Sequence, residues 1–258
     1  MIKFYLLKKN NLSVKGVNTQ KYTKRSAKLL QYRLGGNVLD NKIETVIFDM
    51  DGVVFDTEKL WQDAFQIANK MFSLSLSEEY RINTCGKNEL LIRKELEKTY
   101  PNLNVDAYRG FMLQNVKSRI EAGDFNVKKH FIQLVDFLNR NGYKTGLSTS
   151  SHKDRAEKMF AVKKLDIYSC FNTIVFGEDV GVHCKPDPYI FLLTAERLGT
   201  CPKKCLVVED SINGIEAAIS GGFKAVMFED LIPPNDFCLK NAYIIKDLNQ
   251  IKRILETQ

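Results

Sequence analysis

From Ile43 onward, short apolar runs alternate with longer stretches in which apolar positions recur every three or four residues. The runs Glu44–Phe48, Lys144–Ser148, Thr173–Phe176, Lys204–Val208, Ala225–Phe228 and Ala242–Ile245 are too short for helices. Runs of this kind suit strands buried on both faces, as in a parallel sheet. Between them, Phe131, Leu134, Val135 and Leu138 share one helical stripe, and Ile212, Ile215, Ala218 and Ile219 another. The pattern predicts an α/β fold, a parallel sheet with helices on both faces, whose functional groups gather at the carboxyl ends of the strands.

The segment from about Thr57 to Gly123 breaks the alternation. Trp61, Phe65, Ala68 and Phe72 form one stripe, two further helical stretches follow at Lys87–Tyr100 and Val105–Glu121, and no strand pattern interrupts them. A small all-helical domain inserted after the first strand, placed to act as a lid, is the expected arrangement, with the chain returning to the sheet near Asn126. The predicted division is therefore residues 42–56 and 126–258 for the α/β core, 57–125 for the helical cap, and 1–41 for a basic, poorly ordered N-terminal extension. There is no internal repeat and no low-complexity stretch.

Composition adds two restrictions. With 258 residues, 44% of them hydrophobic, the chain can bury one large core or two modest ones, which excludes a disordered, collagenous or coiled-coil protein. The net charge of +7 suggests nucleic acid until its distribution is examined: nine of the 38 basic residues lie before position 40 with no acid among them, leaving 29 bases against 31 acids. The body has no excess charge with which to neutralise phosphates, so neither a nucleic-acid nor a membrane partner is expected. The basic tail shares features with organelle transit peptides, and equally suits a plain extension or an upstream start codon; a cytoplasmic protein is expected unless the tail is a transit peptide. Six scattered cysteines read as reduced thiols, and Cys201 and Cys205 are too far apart for a CxxC site.

Four segments carry the candidate chemistry. The first strand ends in Phe48-Asp49-Met50-Asp51-Gly52, placing two like charges two residues apart, a repulsion relieved by a cation or a shared proton. The second ends in Ser148-Thr149-Ser150-Ser151, hydroxyls and amides leading into a helix. Lys185 lies in Cys184-Lys185-Pro186-Asp187-Pro188, and a later strand ends in Glu209-Asp210-Ser211. Taken singly, these have ordinary roles as solvated turn acids, helix caps and a surface lysine. Delivered to one rim of one sheet, they supply hard oxygen ligands for magnesium and cationic and hydroxyl donors for a phosphoryl group.

These residues resemble the motifs of the haloacid dehalogenase superfamily, particularly its branch with a small helical cap that includes beta-phosphoglucomutase-like enzymes. The matching elements are Asp49-x-Asp51-Gly52-Val53, Thr149 at a strand end, Lys185-Pro186, and Glu209-Asp210-Ser211-x-x-Gly214-Ile215-x-Ala217-Ala218, spanning about Ile43 to Ala225. The resemblance implies a Rossmann-like core and an enzyme in which Asp49 attacks phosphorus and Asp51 serves as acid and then base. It also implies Mg2+ held by Asp49, the carbonyl of Asp51 and Asp210, with Glu209 a ligand or an orienter, while Lys185, Thr149 and the amide of Ser150 hold the phosphoryl oxygens. Gly52–Asp56 would form a flap joining core and cap, and the cap loop Thr84-Cys85-Gly86-Lys87-Asn88 would touch substrate through Gly86 and through Lys87 or Asn88, although a solvated lysine at a helix start serves equally well.

Two positions depart from the mutase pattern. Trp61 stands where those enzymes have a histidine, and Cys85 where they have a lysine before the cap glycine. Transfer of phosphoryl to water is therefore the expected reaction: a magnesium-dependent phosphatase of a small sugar phosphate or nucleotide, monomeric or weakly homo-oligomeric. The alternatives are a hexose-phosphate mutase and an inactive relative that binds a phosphorylated ligand or a protein. Trp61 reads most simply as a core aromatic.

Overall fold

The computed structural model describes residues 42–87 and 89–257. Expectations that fall on the N-terminal extension and on Asn88 lie outside the described residues. Eight strands are present among the described residues: β1 (Thr45–Phe48), β2 (Phe55–Asp56), β3 (Asn126–Val127), β4 (Lys144–Ser148), β5 (Thr173–Val175), β6 (Cys205–Glu209), β7 (Lys224–Phe228) and β8 (Tyr243–Ile245). Six of them form one all-parallel sheet in the order β5-β4-β1-β6-β7-β8. Each ends within one residue of its expected range. The central strands are apolar throughout because both faces are covered, and successive side chains go to opposite sides. Val46 and Phe48 enter one core with Leu206, Val208 and Val226, while Ile47 enters the other with Val207, Ala225 and Met227.

Among the described residues, four helices lie between β2 and β3: α1 (Glu58–Met71), α2 (Glu78–Thr84), α3 (Glu89–Thr99) and α4 (Val105–Glu121). They form the helical cap, and no strand interrupts them among the described residues. The short α2 has no counterpart in the sequence-based expectation. It offers only Tyr80 and Ile82 as apolar positions, and what marks its start is a cap in which the Ser77 hydroxyl accepts from the Tyr80 amide at 3.1 Å. The entry and exit of the insertion are joined by the antiparallel pair β2–β3, with Phe55 opposite Val127 and Asp56 opposite Asn126. Phe55 packs edge-on against Phe125 and Phe160, at 5.4 and 4.8 Å between centroids, so the hinge is anchored in the core.

The α/β part contributes α5 (Phe131–Arg140), α6 (Lys153–Val162), α7 (Ile167–Cys170), α8 (Gly177–Val180), α9 (Tyr189–Arg197), α10 (Ile212–Gly221), α11 (Asp236–Asn241) and α12 (Gln250–Glu256). Helix α5 is apolar on one face, and Phe131 meets Phe48 of β1 edge-on at 5.8 Å. Strands β4 and β6 flank β1, so the chain leaves the central strand in both directions, and a crevice opens at the carboxyl ends of the three.

Candidate active site

The segments following β1, β4 and β6 meet at that crevice. Asp49, Asp51, Thr149, Ser150, Glu209 and Asp210 line one cavity of about 280 Å³, whose other wall is supplied by the cap. Lys185 reaches the same place from beneath. It is fully buried and does not line the cavity; its ammonium lies between Asp49 Oδ1 and Glu209 Oε1, 2.5 Å from the latter. Burial alone would lower the Lys185 pKa, but Asp49 and Glu209 hold it well above the usual lysine value. Burial has the opposite effect on Asp49, raising its carboxyl far above the ordinary range despite Lys185, with Glu209 and Asp51 adding repulsion.

Both oxygens of Glu209 are engaged. Oε1 takes Lys185, and Oε2 accepts from the Ser211 amide at 2.7 Å and from the Ser211 hydroxyl at 2.8 Å. Of the two roles the sequence left open, ligand or orienter, this geometry favours the orienter. Gly214 explains how the acid fits: a Cβ there would lie 1.9 Å from the Glu209 carboxyl carbon.

Asp51 sits in a different environment. Arg155 of α6 grips its carboxylate with two donors at 2.6 and 2.7 Å, Thr57 donates to it at 2.6 Å and Ser151 at 3.1 Å. Burial would raise this carboxyl, yet the guanidinium and the hydroxyls outweigh it and hold the pKa below the usual aspartate value. With its side chain so occupied, Asp51 could offer a metal only its backbone carbonyl.

Asp210 is buried and its carboxylate has no hydrogen-bond or ion-pair partner among the described residues. Burial, then Glu58, Glu209 and Asp49, push its pKa well up. Gly52, at φ +79°, turns the chain after Asp51, and a Cβ there would fall 1.8 Å from an Asp210 oxygen, so only glycine lets the two loops touch. No group of three or more carboxylate, imidazole or thiol side chains forms a ready cage among the described residues. Magnesium does not need one, since it commonly takes one or two carboxylates and completes its shell with water and substrate phosphate. Crowded, under-partnered Asp49 and Asp210, joined by the carbonyl of Asp51, are a donor set that fits it.

The cap loop rests on the core rim. Ser150 donates its hydroxyl to the Gly86 carbonyl at 3.0 Å, and the Asn213 amide donates to the carbonyls of Cys85 at 2.7 Å and Asn83 at 3.2 Å. Lys87 lines the cavity with its ammonium on Glu95, at 2.8 and 3.1 Å. Thr149 is buried, and its hydroxyl accepts from the Ser151 amide at 3.1 Å, turning the end of β4 toward α6.

Sequence reading missed Arg155, Glu58 and Arg81. Arg155, in the first turn of α6, meets Asp51 across 104 residues, a pairing outside any local period. Glu58 is buried against Arg81 at 3.3 Å, a partner 23 residues away that no local pattern discloses. Trp61 packs against the core, as expected, and also lines the cavity, with the guanidiniums of Arg109 and Arg155 at 5.9 and 5.7 Å from its ring.

A sheet carrying paired acids, hydroxyls and a buried lysine at its carboxyl edge beneath a helical lid defines the class of capped α/β phosphoryl-transfer enzymes. Residues 46–228 match the family of haloacid dehalogenase-like hydrolases, and the chain belongs to it. One relative, the phosphorylated carbohydrates phosphatase of Thermotoga maritima, is 31% identical over 191 residues, covering 71% of this chain and 84% of the relative. Another, named a probable pseudouridine-5'-phosphatase in Drosophila melanogaster, is 32% identical over 199 residues, covering 75% and 85%. Among solved structures, the beta-phosphoglucomutase of Clostridium difficile superposes with a TM-score of 0.68 at 23% identity, covering 83% of this chain and 96% of that one, a likeness of fold alone. The protein is an enzyme of the phosphatase type. No helix among the described residues is long and apolar enough to cross a membrane.

Proposed function

We propose that the protein hydrolyses a small phosphomonoester, a sugar phosphate or nucleotide, in two steps through a phosphoaspartyl intermediate on Asp49, with Mg2+ as its cofactor. The observation that carries this reading is the division of labour between two acids two residues apart. Asp49 is buried and braced by Lys185, whereas Asp51 is held by Arg155, Thr57 and Ser151. Neighbouring carboxylates kept in such different surroundings suit a nucleophile and an acid–base group.

In the first step an Asp49 oxygen bonds to phosphorus as the bond to the leaving oxygen breaks and Asp51 delivers a proton to that oxygen. In the second, Asp51 takes a proton from water, the water oxygen bonds to phosphorus, and the bond to Asp49 breaks. Bound Mg2+, held by Asp49, the Asp51 carbonyl and Asp210, would neutralise charge on the phosphoryl group. Lys185 fixes Asp49, and Glu209 fixes Lys185 while tying it to the start of α10 through Ser211. Thr149 and the Ser150 amide, from residues that line the cavity, would donate to the equatorial oxygens. Arg155 holds Asp51 as an anion in the substrate-free site, and an incoming phosphate, itself anionic, would compete for that guanidinium and free Asp51 to carry its proton. The cap loop, tied to Ser150 and Asn213, would limit the access of bulk water to the cavity.

The test is phosphate release from a panel of metabolites by the full chain, with Mg2+ and with chelator. Magnesium-dependent release from a subset is expected. Isomerised sugar phosphate without release would instead favour the mutase, and binding without turnover the inactive relative.

A further inference from the structure

The cap half of the cavity has a distinct chemistry. Among the described residues, every Lys or Arg that lines the cavity already has a carboxylate: Arg81 has Glu58 and Glu78, Lys87 has Glu95, Arg109 has Glu89 through both oxygens, and Arg155 has Asp51. A second phosphate on the substrate would enter the cap with no positive charge to spare and with carboxylates on several sides. Like charges so placed cost affinity unless a cation is freed.

The remainder of the cap wall is apolar and aromatic, with the partly exposed Trp61 and Leu113 at its surface and Phe65, Met112, Leu96 and Tyr108 buried behind them. A polyhydroxylated leaving group pressed against this wall would bury hydroxyls without partners, a loss for each. A flat ring would instead remove apolar area from water on both sides. Among the aromatic side chains of the wall, the Tyr80 hydroxyl is buried without a hydrogen-bond partner among the described residues. Burial, with Glu95 nearby, pushes its pKa up to about 12, so it remains a donor near neutrality.

We infer that the substrate is a nucleoside monophosphate, its single phosphate at Asp49 and its base lodged against the apolar wall that Trp61 and Leu113 present, where a ring acceptor takes the Tyr80 hydroxyl. This rests on the phosphatase reading above and narrows its substrate class.

The experiment compares kcat/KM of the full chain with Mg2+ on acetyl phosphate, ribose 5-phosphate, glucose 1,6-bisphosphate and a set of nucleoside 5'-monophosphates. Ribose 5-phosphate carries the same phosphate and sugar without the base, so the ratio isolates the wall. At least one nucleotide is expected to exceed ribose 5-phosphate by about tenfold or more, the range a single apolar contact surface supplies, and the bisphosphate to be the poorest sugar substrate. Tyr80→Phe, which keeps the ring and its packing, should lower the nucleotide-to-ribose ratio several-fold, chiefly through KM. Met112→Asn should lower it further by making the wall polar. Equal or better turnover of ribose 5-phosphate than of every nucleotide, preference for the bisphosphate, or variants that change both substrates in proportion would overturn the inference while leaving phosphatase activity standing. Failure to hydrolyse acetyl phosphate, which needs no wall, would overturn the phosphatase reading and this inference with it.

Discussion

The core rim and the cap wall face each other across one cavity, yet they handle charge in opposite ways. In the core, the compensating groups come from distant parts of the chain: Lys185 meets Asp49 across 136 residues, and Arg155 meets Asp51 across 104. In the cap most pairs are closer in sequence, with Arg81 on Glu78, Arg93 on Glu89 and Lys87 on Glu95. Long-range compensation ties the chemistry to the sheet, where register fixes position to within a fraction of a residue spacing. Short-range compensation leaves the cap free to vary its wall without disturbing the reaction. The core should therefore govern whether phosphoryl transfer occurs, and the cap which ester undergoes it.

The largest expected effect lies in the core. Asp49→Asn removes the nucleophile and should lower kcat by on the order of 10⁴-fold or more on every substrate alike, since groups that act as a unit leave little residual catalysis. Phosphate release measured on acetyl phosphate and on a nucleotide would check it. A loss confined to one of them would break the division between rim and wall.

Next is the brace. Lys185→Met strips the partner from Asp49 and Glu209, both buried, and removing one member of such a set typically destabilises by about 3–5 kcal/mol. Urea unfolding at pH 7 should show that loss. A loss below about 1 kcal/mol would mean that the brace is not structural.

Magnesium links stability to pH. In the metal-free protein the Asp49 pKa is raised from 3.8 to about 8. Below 3.8 the folded and unfolded states both hold the proton. Between 3.8 and about 8 the unfolded chain ionises while the folded site keeps its proton, so stability falls as pH rises through this window. The metal favours the ionised site and displaces a proton when it binds at low pH. Its stabilisation, about 2.7 kcal/mol at a hundredfold excess over Kd, should therefore grow from pH 5.5 to pH 8. Thermal unfolding with and without Mg2+ at the two pH values measures this. A magnesium increment independent of pH would show that the raised carboxyl is not at the metal site.

The difference between the two regions also explains what the sequence disclosed. All six strands of the sheet were legible, because a strand buried on both faces must be apolar along its length and short apolar runs stand out between amphipathic helices. The rim acids, Thr149 and Lys185 were legible because they follow those strands or carry a motif. Arg155 and Glu58 were not singled out, although each is as close to Asp51 or its neighbours as the motif residues. Their importance comes from a tertiary pairing that no local period records. The second role of Trp61, at the cavity, was hidden for a related reason: helical spacing reports that a face is apolar, without saying whether it also meets a cavity.

The smallest effect tests the cap from the other side. The Lys87–Glu95 pair is partly exposed, with 43% of the Glu95 side chain accessible, and pairs of that kind contribute about 0.2–1 kcal/mol. Glu95→Gln should accordingly change stability by less than about 1 kcal/mol, in contrast to the brace around Lys185. It should nevertheless change selectivity in a definite direction. With its carboxylate gone, the Lys87 ammonium at the cavity edge becomes available to a second phosphate, and the kcat/KM ratio of glucose 1,6-bisphosphate to a monophosphate should rise by a few fold, while the rate on acetyl phosphate responds far less. Steady-state kinetics on the three substrates would measure this. An unchanged ratio would mean that pairing of the cap cations does not exclude the bisphosphate, and that the selectivity of this wall rests on its apolar surface alone.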